Sequence, residues 1–529
     1  MRFLTPVVVG LVLAGLTLLT APSAHAHAVL VASDPVDGTR LSSSPDAVHL
    51  TFDEPVKLIP GAVQVVSESG ARVNTGMVLR PGGTAIDLPL PPRLPRGSYT
   101  AMWRLISADT HEVSGSISFG VDQDALAPPA QRAVSDPLGL AANVIRGGIY
   151  LGMILGIGLT AVCRLLWPWT LSLRATRSIM RAGWALLALA SVAQFILAGP
   201  RSLGLSWAGV LDGAGLSLTA DSVTGLVLML RIALAAVVLA AICRRGTVRA
   251  GARFPRARSA VGALLAVGLA ATVAVDGHAG VGTDAWLATS VTTLHLLSMS
   301  VWLGGLVALA VIVLPSRHAD RLDRWSLTAF ACVAVLILTG EYQAWRQVSP
   351  VEALWSTGYG ITLLAKLAAV SAMLGLAYLG RRRLLPAALR RSVPLEAAFG
   401  AVVLVLTTAL VAQPPARTLY GPAVALRAPL DDGRSAEIAV SSTRHGPIGI
   451  QLAVVDEHGG VVQPQKMSAT LSSVDAGIAS LPVRLAPGPA DHWHSTYATA
   501  PRAGTWTLQI TVGFTPTDAV ATATVFRVW

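Results

Sequence analysis

The chain is poor in cysteine and in charge. It has three cysteines in 529 residues, and Asp, Glu, Lys and Arg together make up only 13%. Cys163, Cys243 and Cys332 all fall inside apolar stretches, so the polar parts of the chain hold no internal disulfide. So little charge, with 53% hydrophobic residues and a mean hydropathy of +0.59, excludes an ordinary soluble protein and indicates repeated membrane spans. No repeat of 20–50 residues is visible. A phosphate-binding P-loop and the "DKTG" of phosphorylated pumps are both missing, which leaves an ATP-driven pump without its apparatus.

The opening residues read as a secretory signal. Arg2 supplies a positive start, Val7 to Leu19 an apolar core, and Ala24-His25-Ala26 the small residues before a cut. Cleavage after Ala26 makes His27 the new N-terminus. A cut after Ala24 places Pro22 three residues upstream and fits less well, and an uncleaved anchor is the alternative.

Residues 27–121 alternate with period two in "AVHLTFDEPV", "GAVQVVSESG" and "GSYTAMWRLIS", a pattern that predicts a small β domain. Residues 122–138 are a linker by composition. Eight apolar stretches follow within residues 139–413, at about 141–163, 182–199, 222–243, 259–277, 289–314, 326–346, 360–380 and 396–413. Eighteen arginines, from Arg164 to Arg391, lie in the loops after the first, third, fifth and seventh stretches. The intervening loops hold little more than Arg201 and Arg346. By the positive-inside rule the arginine-rich loops are cytoplasmic, and both chain ends lie outside. The net charge of +11 is therefore a topology signal beside an anionic leaflet, and nucleic acid is not an expected partner. Residues 425–529 alternate again, with a hairpin signal in "DEHGG", and predict a β-sandwich. The fold class expected is mixed: a polytopic α-helical membrane bundle of eight spans flanked by two extracytoplasmic all-β domains.

A mature N-terminal His27 offers its α-amine and imidazole to one metal ion in a single chelate ring. Nitrogen donors in a near-planar set suit Cu(II). "SADTHEV" adds Asp109 and His111, two apart and on one face of a strand. Taken singly, a surface histidine is usually just solvated and an Asp-x-His pair is common turn chemistry. Their conjunction with the cut position is what points to a metal. His49, in a strand, reads as surface.

"HAVLVASDPVDGTRLSSSPDAVHLTFDEPV" and "SADTHEVSGSISFGV" resemble the CopC family of exported copper-binding β-barrels, over most of residues 27–121. The resemblance implies Cu(II) ligation by His27, Asp109 and His111, with Glu54 of the "FDEPV" stretch near the site. Some members also hold a Met-rich cuprous site, but only Met77 and Met102 are available here.

Polar residues inside the spans are Gln194, Arg231, His295, Glu341 and Lys366. Met299 and Trp302 follow His295 on one helix face, and His278 stands where the fourth span reaches the outside. These can be read as an inward copper path, with Cu(I) as the form suited to a thioether. The competing reading has His295 bonding a neighbouring helix, Met299 packing, and Glu341 pairing with Lys366. "DGHAG", "HLLSMSVWLGGLVAL", "LTGEYQAW" and "TGYGITLLAKL" resemble the CopD family of copper-associated membrane proteins, with Gln343 where that family usually has Asn. The resemblance makes His278 and His295 the main carry-overs and copper uptake the usual proposal. His492 and His494 in "DHWHS" are a further histidine pair.

The expectation is a non-enzymatic protein of copper transport or homeostasis, with copper ions, the lipid bilayer and other copper chaperones as partners. The alternatives are a copper-dependent oxidase with a histidine-brace site, and resistance by sequestration without transport. A haem carrier fits poorly, because only His295 lies clearly within a span.

Overall fold

The computed structural model describes residues 30–52, 55–107, 112–123, 125, 138–202, 207–211, 213–244, 256–277, 284–316, 320–382, 386–431, 433–488, 492–515 and 518–529. His27, Glu54, Asp109, His111 and His278 lie outside the described residues, as does the signal segment. Two compact units result. One is Ser135–Ala416, and the other joins His27–Val134 to Arg417–Trp529.

The N-terminal region forms eight strands: β1 (Leu30–Asp34), β2 (Thr39–Leu41), β3 (Ala47–Phe52), β4 (Val56–Ser67), β5 (Val78–Leu79), β6 (Ala85–Pro89), β7 (Gly97–Ser107) and β8 (Glu112–Val121). They build two four-stranded sheets, ordered β1-β3-β6-β5 and β2-β8-β7-β4. The alternation seen in the sequence is the reason. Val48, Leu50 and Phe52 of β3 point inward, and their neighbours point out. Ala101, Trp103 and Leu105 of β7 meet them from the other sheet. Phe52 and Trp103 touch edge to face, with centroids 6.1 Å apart. Each such large side chain withdrawn from water contributes about 1.5–3 kcal/mol. Gly115 on β8 leaves the space that the Trp103 indole fills.

Helices stand at all eight positions expected from hydropathy: α1 (Gly139–Leu165), α2 (Arg174–Ser202), α3 (Val223–Arg244), α4 (Arg256–Val275), α5 (Ala285–Val313), α6 (Leu322–Gln347), α7 (Gly358–Arg382) and α8 (Pro386–Val411). Among the described residues, seven are long and apolar enough to cross a membrane, and α4 contains a shorter apolar segment, Ala260–Val275. Both α1 and α5 widen into one π-helical turn, at Ile154–Gly158 and Leu309–Val313. Small residues set the packing, as expected where lipid tails remove the hydrophobic drive between helices. Any Cβ on Gly158 would collide with the Ser300 carbonyl, and one on Gly304 would lie 2.5 Å from the Leu159 nitrogen. Gly152 and Gly183 bring α1 and α2 together in the same way.

The C-terminal region is all-β: β9 (Val424–Pro429), β10 (Ser435–Val440), β11 (Gly446–Pro447), β12 (Ile450–Val455), β13 (Val461–Val462), β14 (Lys466–Ser473), β15 (Ile478–Pro487), β16 (Trp493–Tyr497), β17 (Thr499–Ala500), β18 (Gly504–Gly513) and β19 (Ala519–Val528). Nine strands form one sheet, ordered β19-β18-β14-β15-β16-β12-β10-β9, with β13 paired to β12. Its outermost strands β9 and β19 approach each other, so the sheet curls around a core centred on Trp506, Leu508 and Ile510. The "DEHGG" turn joins β12 to β13, and the Asp456 carboxylate accepts the Gly460 N–H at 2.7 Å. That bond and its companion from His458 hold the Asp456 carboxyl below the usual carboxylate range.

Candidate metal-handling sites

In the N-terminal domain, the described residues on either side of the candidate ligands converge on one end. Leu30, three residues after His27, pairs with Phe52. Phe52 and Val56 flank Glu54 along the chain, and Val56 pairs with Ser107. Ser107 and Glu112 flank the Asp109–His111 motif, and Glu112 pairs with Ile106. The strand ends that lead to His27, Glu54, Asp109 and His111 thus share one pole of the domain. His49, as expected, belongs to the surface. Its Nδ1 lies 2.6 Å from the Asp87 carboxylate, which Arg80 also engages at 2.7 Å. The Arg80 hydrogen bond above all, with help from His49, holds the Asp87 carboxyl below its ordinary range against the opposing effect of desolvation.

In the bundle, His295 of α5 is half-buried against α6. Its Nδ1 lies 2.8 Å from the Thr339 hydroxyl oxygen. That hydroxyl donates its single proton to the Val335 carbonyl at 2.6 Å. With that hydroxyl proton on the Val335 carbonyl, the matching imidazole tautomer carries its hydrogen on Nδ1 and its lone pair on Nε2. This is the arrangement that prepares a histidine for metal: one nitrogen anchored, the other free. Gly340, next to Thr339, lets α6 approach, since a Cβ there would sit 3.6 Å from His295 Cε1. Met299, one turn along α5, is buried with Leu296, Trp302 and Leu303 in the bundle core.

The pairing of Glu341 with Lys366 in the competing reading does not form: no ion pair links them among the described residues. On the same turn as Glu341, the Tyr342 hydroxyl donates to Asp284 at 2.7 Å, and Arg346 reaches the other Asp284 oxygen at 3.0 Å. The amide nitrogen of Gln343 is buried without a hydrogen-bond partner.

Gln194 and Arg231 belong to a second cluster, which joins α2, α3 and α4. The fully buried Arg231 guanidinium donates to Gln194 at 2.9 Å, to the Thr272 hydroxyl at 3.2 Å, to the Thr272 carbonyl at 2.6 Å and to Asp276 at 3.2 Å. Gln194 in turn donates to Asp276 at 2.6 Å. Asp276 opens the "DGHAG" stretch that contains His278.

Sequence reasoning missed Thr339, Asp276 and Asp284. Thr339 and Asp276 stood inside quoted motifs, but a threonine in an apolar helix looks like packing, and an aspartate at a helix end looks solvated. Cys163 is buried, Cys332 half-buried and Cys243 exposed, with no disulfide among them. His492 and His494 are exposed near and on β16. No group of three or more metal-binding side chains occurs among the described residues.

Fold and sites together define a multispan helical membrane protein with β domains in its N- and C-terminal regions and an imidazole anchored between two spans. The comparisons with known proteins narrow that class. The CopC domain model matches residues 30–122, and the model described as "Copper resistance protein D" matches residues 319–410. The chain is 26% identical over 461 residues to the "Copper transport protein CutJ" of Bacillus subtilis (strain 168), covering 83% of this chain and 84% of that protein. It is 39% identical over 119 residues to "Copper resistance protein C" of Xanthomonas campestris pv. juglandis, covering 20% of this chain and 86% of that one. The solved structure of CopC from Methylosinus trichosporium OB3b shares 29% identity over 18% of this chain and 94% of its own, with a TM-score of 0.17. The chain belongs to the CopC family through its N-terminal domain, and its residues 319–410 are similar to the family described as "Copper resistance protein D". His295 and Met299 lie upstream of the segment that the CopD model matches.

Proposed function

We propose that this protein captures Cu(II) outside the cytoplasm and passes copper into the membrane bundle for uptake. The His295 imidazole carries this reading: it is held between two spans by Thr339 with a free Nε2 lone pair. The naming of the CutJ relative as a copper transport protein supports it. So does the convergence of strand ends around the N-terminal motifs.

On this reading both β domains are extracytoplasmic. The processed N-terminus contributes the α-amine and imidazole of His27, and Asp109 and His111 complete a nitrogen- and oxygen-rich site suited to Cu(II). Glu54 orients a ligand by accepting a hydrogen bond. His278 receives the ion at the mouth of the bundle. His295 and then Met299 take it inward, the thioether favouring Cu(I). Passage as Cu(I) takes one electron per ion from a separate reductant.

Copper accumulation in cells expressing the full chain tests the proposal. His295→Ala should reduce accumulation to the level of cells without the protein, and unchanged accumulation removes His295 from the path. Sequestration without transport would instead leave bound copper outside and none in the cytosol.

A further inference from the structure

Among the described residues, the Arg484 side chain of the C-terminal domain reaches across to the N-terminal domain. The grip begins at the turn Val36–Thr39. Gly38 has φ +71°, a conformation glycine adopts without strain, and the Thr39 N–H closes the turn on the Val36 carbonyl at 3.1 Å. This turn is fixed to β8. The Asp37 carboxylate accepts the Ser118 N–H at 2.6 Å, and the Gly38 N–H donates to the Ser118 carbonyl at 2.5 Å. The result is a rigid knot presenting acceptors: the Gly38 carbonyl, the Thr39 hydroxyl and the Asp37 charge.

Arg484 of the C-terminal domain meets all three. Its guanidinium donates to the Gly38 carbonyl, lies 3.4 Å from the Thr39 hydroxyl, and acts electrostatically on Asp37. Arg484 stands at a break in register between β15 and β16, where Arg484 pairs with Tyr497 and the ladder shifts before Leu485. Such an irregularity re-aims a side chain out of its regular alternation. A planar guanidinium with several donors suits a carbonyl and a hydroxyl side by side.

The contact has a definite position. Along β1, Leu30 stands at the pole where the strand ends flanking the motifs converge, and Asp34 leads away from it into the gripped turn. Along β8, Ser118 lies six residues beyond Glu112, about 20 Å at the strand rise. The grip is therefore at the pole opposite the copper motifs.

We propose that the C-terminal domain is a docking platform for the N-terminal domain: Arg484 holds the Asp37–Thr39 turn and leaves the copper-bearing pole free to exchange metal. This rests on the copper reading above for its purpose, not for its geometry. The N-terminal domain joins the bundle through the linker 122–138, and tethering it a second time raises its effective concentration near its acceptor.

Hydrogen exchange of the purified full-length protein, together with copper accumulation in cells, tests this. Arg484→Ala should raise exchange in peptides spanning Val36–Leu41 at least about tenfold. Arg484→Glu, facing Asp37, should raise it further. Protection of β18 should hold, which shows that the C-terminal domain stays folded, and Arg484→Gln serves as a second variant. Cu(II) affinity should be unchanged while copper accumulation falls. Exchange unchanged in all three variants overturns the docking. Raised exchange with undiminished accumulation overturns its role in delivery. If the wild-type chain accumulates no copper, the copper reading fails, and the exchange data still decide the docking.

Discussion

Two polar clusters inside the bundle are built on opposite principles. Around Arg231 the buried groups pair with one another: its four hydrogen bonds reach Gln194, Thr272 and Asp276, and Gln194 closes the ring by donating to Asp276. Around His295 the pairing is partial by design, because Thr339 engages one imidazole nitrogen and leaves the other with a lone pair. A closed cluster fixes three helices against one another. A cluster with a spare acceptor can take a cation and give it up. Polarity in a span is thus not by itself a sign of a binding site; a metal site also needs a neutral lone pair that no internal cation has already claimed.

The largest effect expected from this contrast is on stability at Arg231. Arg231→Met leaves Asp276 buried without its counter-charge, which should cost about 3–5 kcal/mol. Thermal unfolding in detergent reads the loss. Adding Asp276→Asn should restore much of it, and failure of that rescue would break the claim that the cluster is a closed electrostatic unit. His295→Ala sharpens the comparison from the other side. It should abolish copper accumulation yet cost only about 1 kcal/mol, the net worth of one hydrogen bond. A smaller functional loss is expected at Thr339. Thr339→Val frees the imidazole to turn and should weaken copper binding about 10- to 100-fold, while Thr339→Ser retains it. Titration of the full chain with Cu(I) separates the two variants.

The smallest effect lies outside the membrane, at Asp87. Its folded carboxyl is held low by Arg80, so its contribution to stability is present above the ordinary carboxylate pKa and fades as pH falls through the lowered value. Acid unfolding of the wild type should therefore show a steeper loss over that range than Asp87→Asn.

Much of the architecture was legible because it rests on periodicity. The stretch "GSYTAMWRLIS" is β7 from Gly97 to Ser107, and the apolar runs became α1 to α8. The π-turns at Ile154–Gly158 and Leu309–Val313 were not legible, since their composition matches the helices around them. Arg231 was visible as a buried charge, but its partner Asp276 was hidden at a helix end. Thr339 looked like any small residue in an apolar helix until its hydroxyl was seen committed to Val335. Glu341 and Lys366 illustrate the reverse error: opposite charges in consecutive spans invited a pairing that does not occur among the described residues. Nothing local in the chain could have joined Arg484 to Gly38, 446 positions apart.

The bare backbone contacts of α1 carry a mechanical consequence. Where Gly158 meets Ser300 and Gly152 meets Leu187, no side chain lies between the helices to slide or compress. Helices α1, α2 and α5 are therefore packed backbone against backbone at these points. His295 stands on α5, one of these closely packed helices, so a bulky side chain placed at Gly158 would displace the backbone that carries the imidazole.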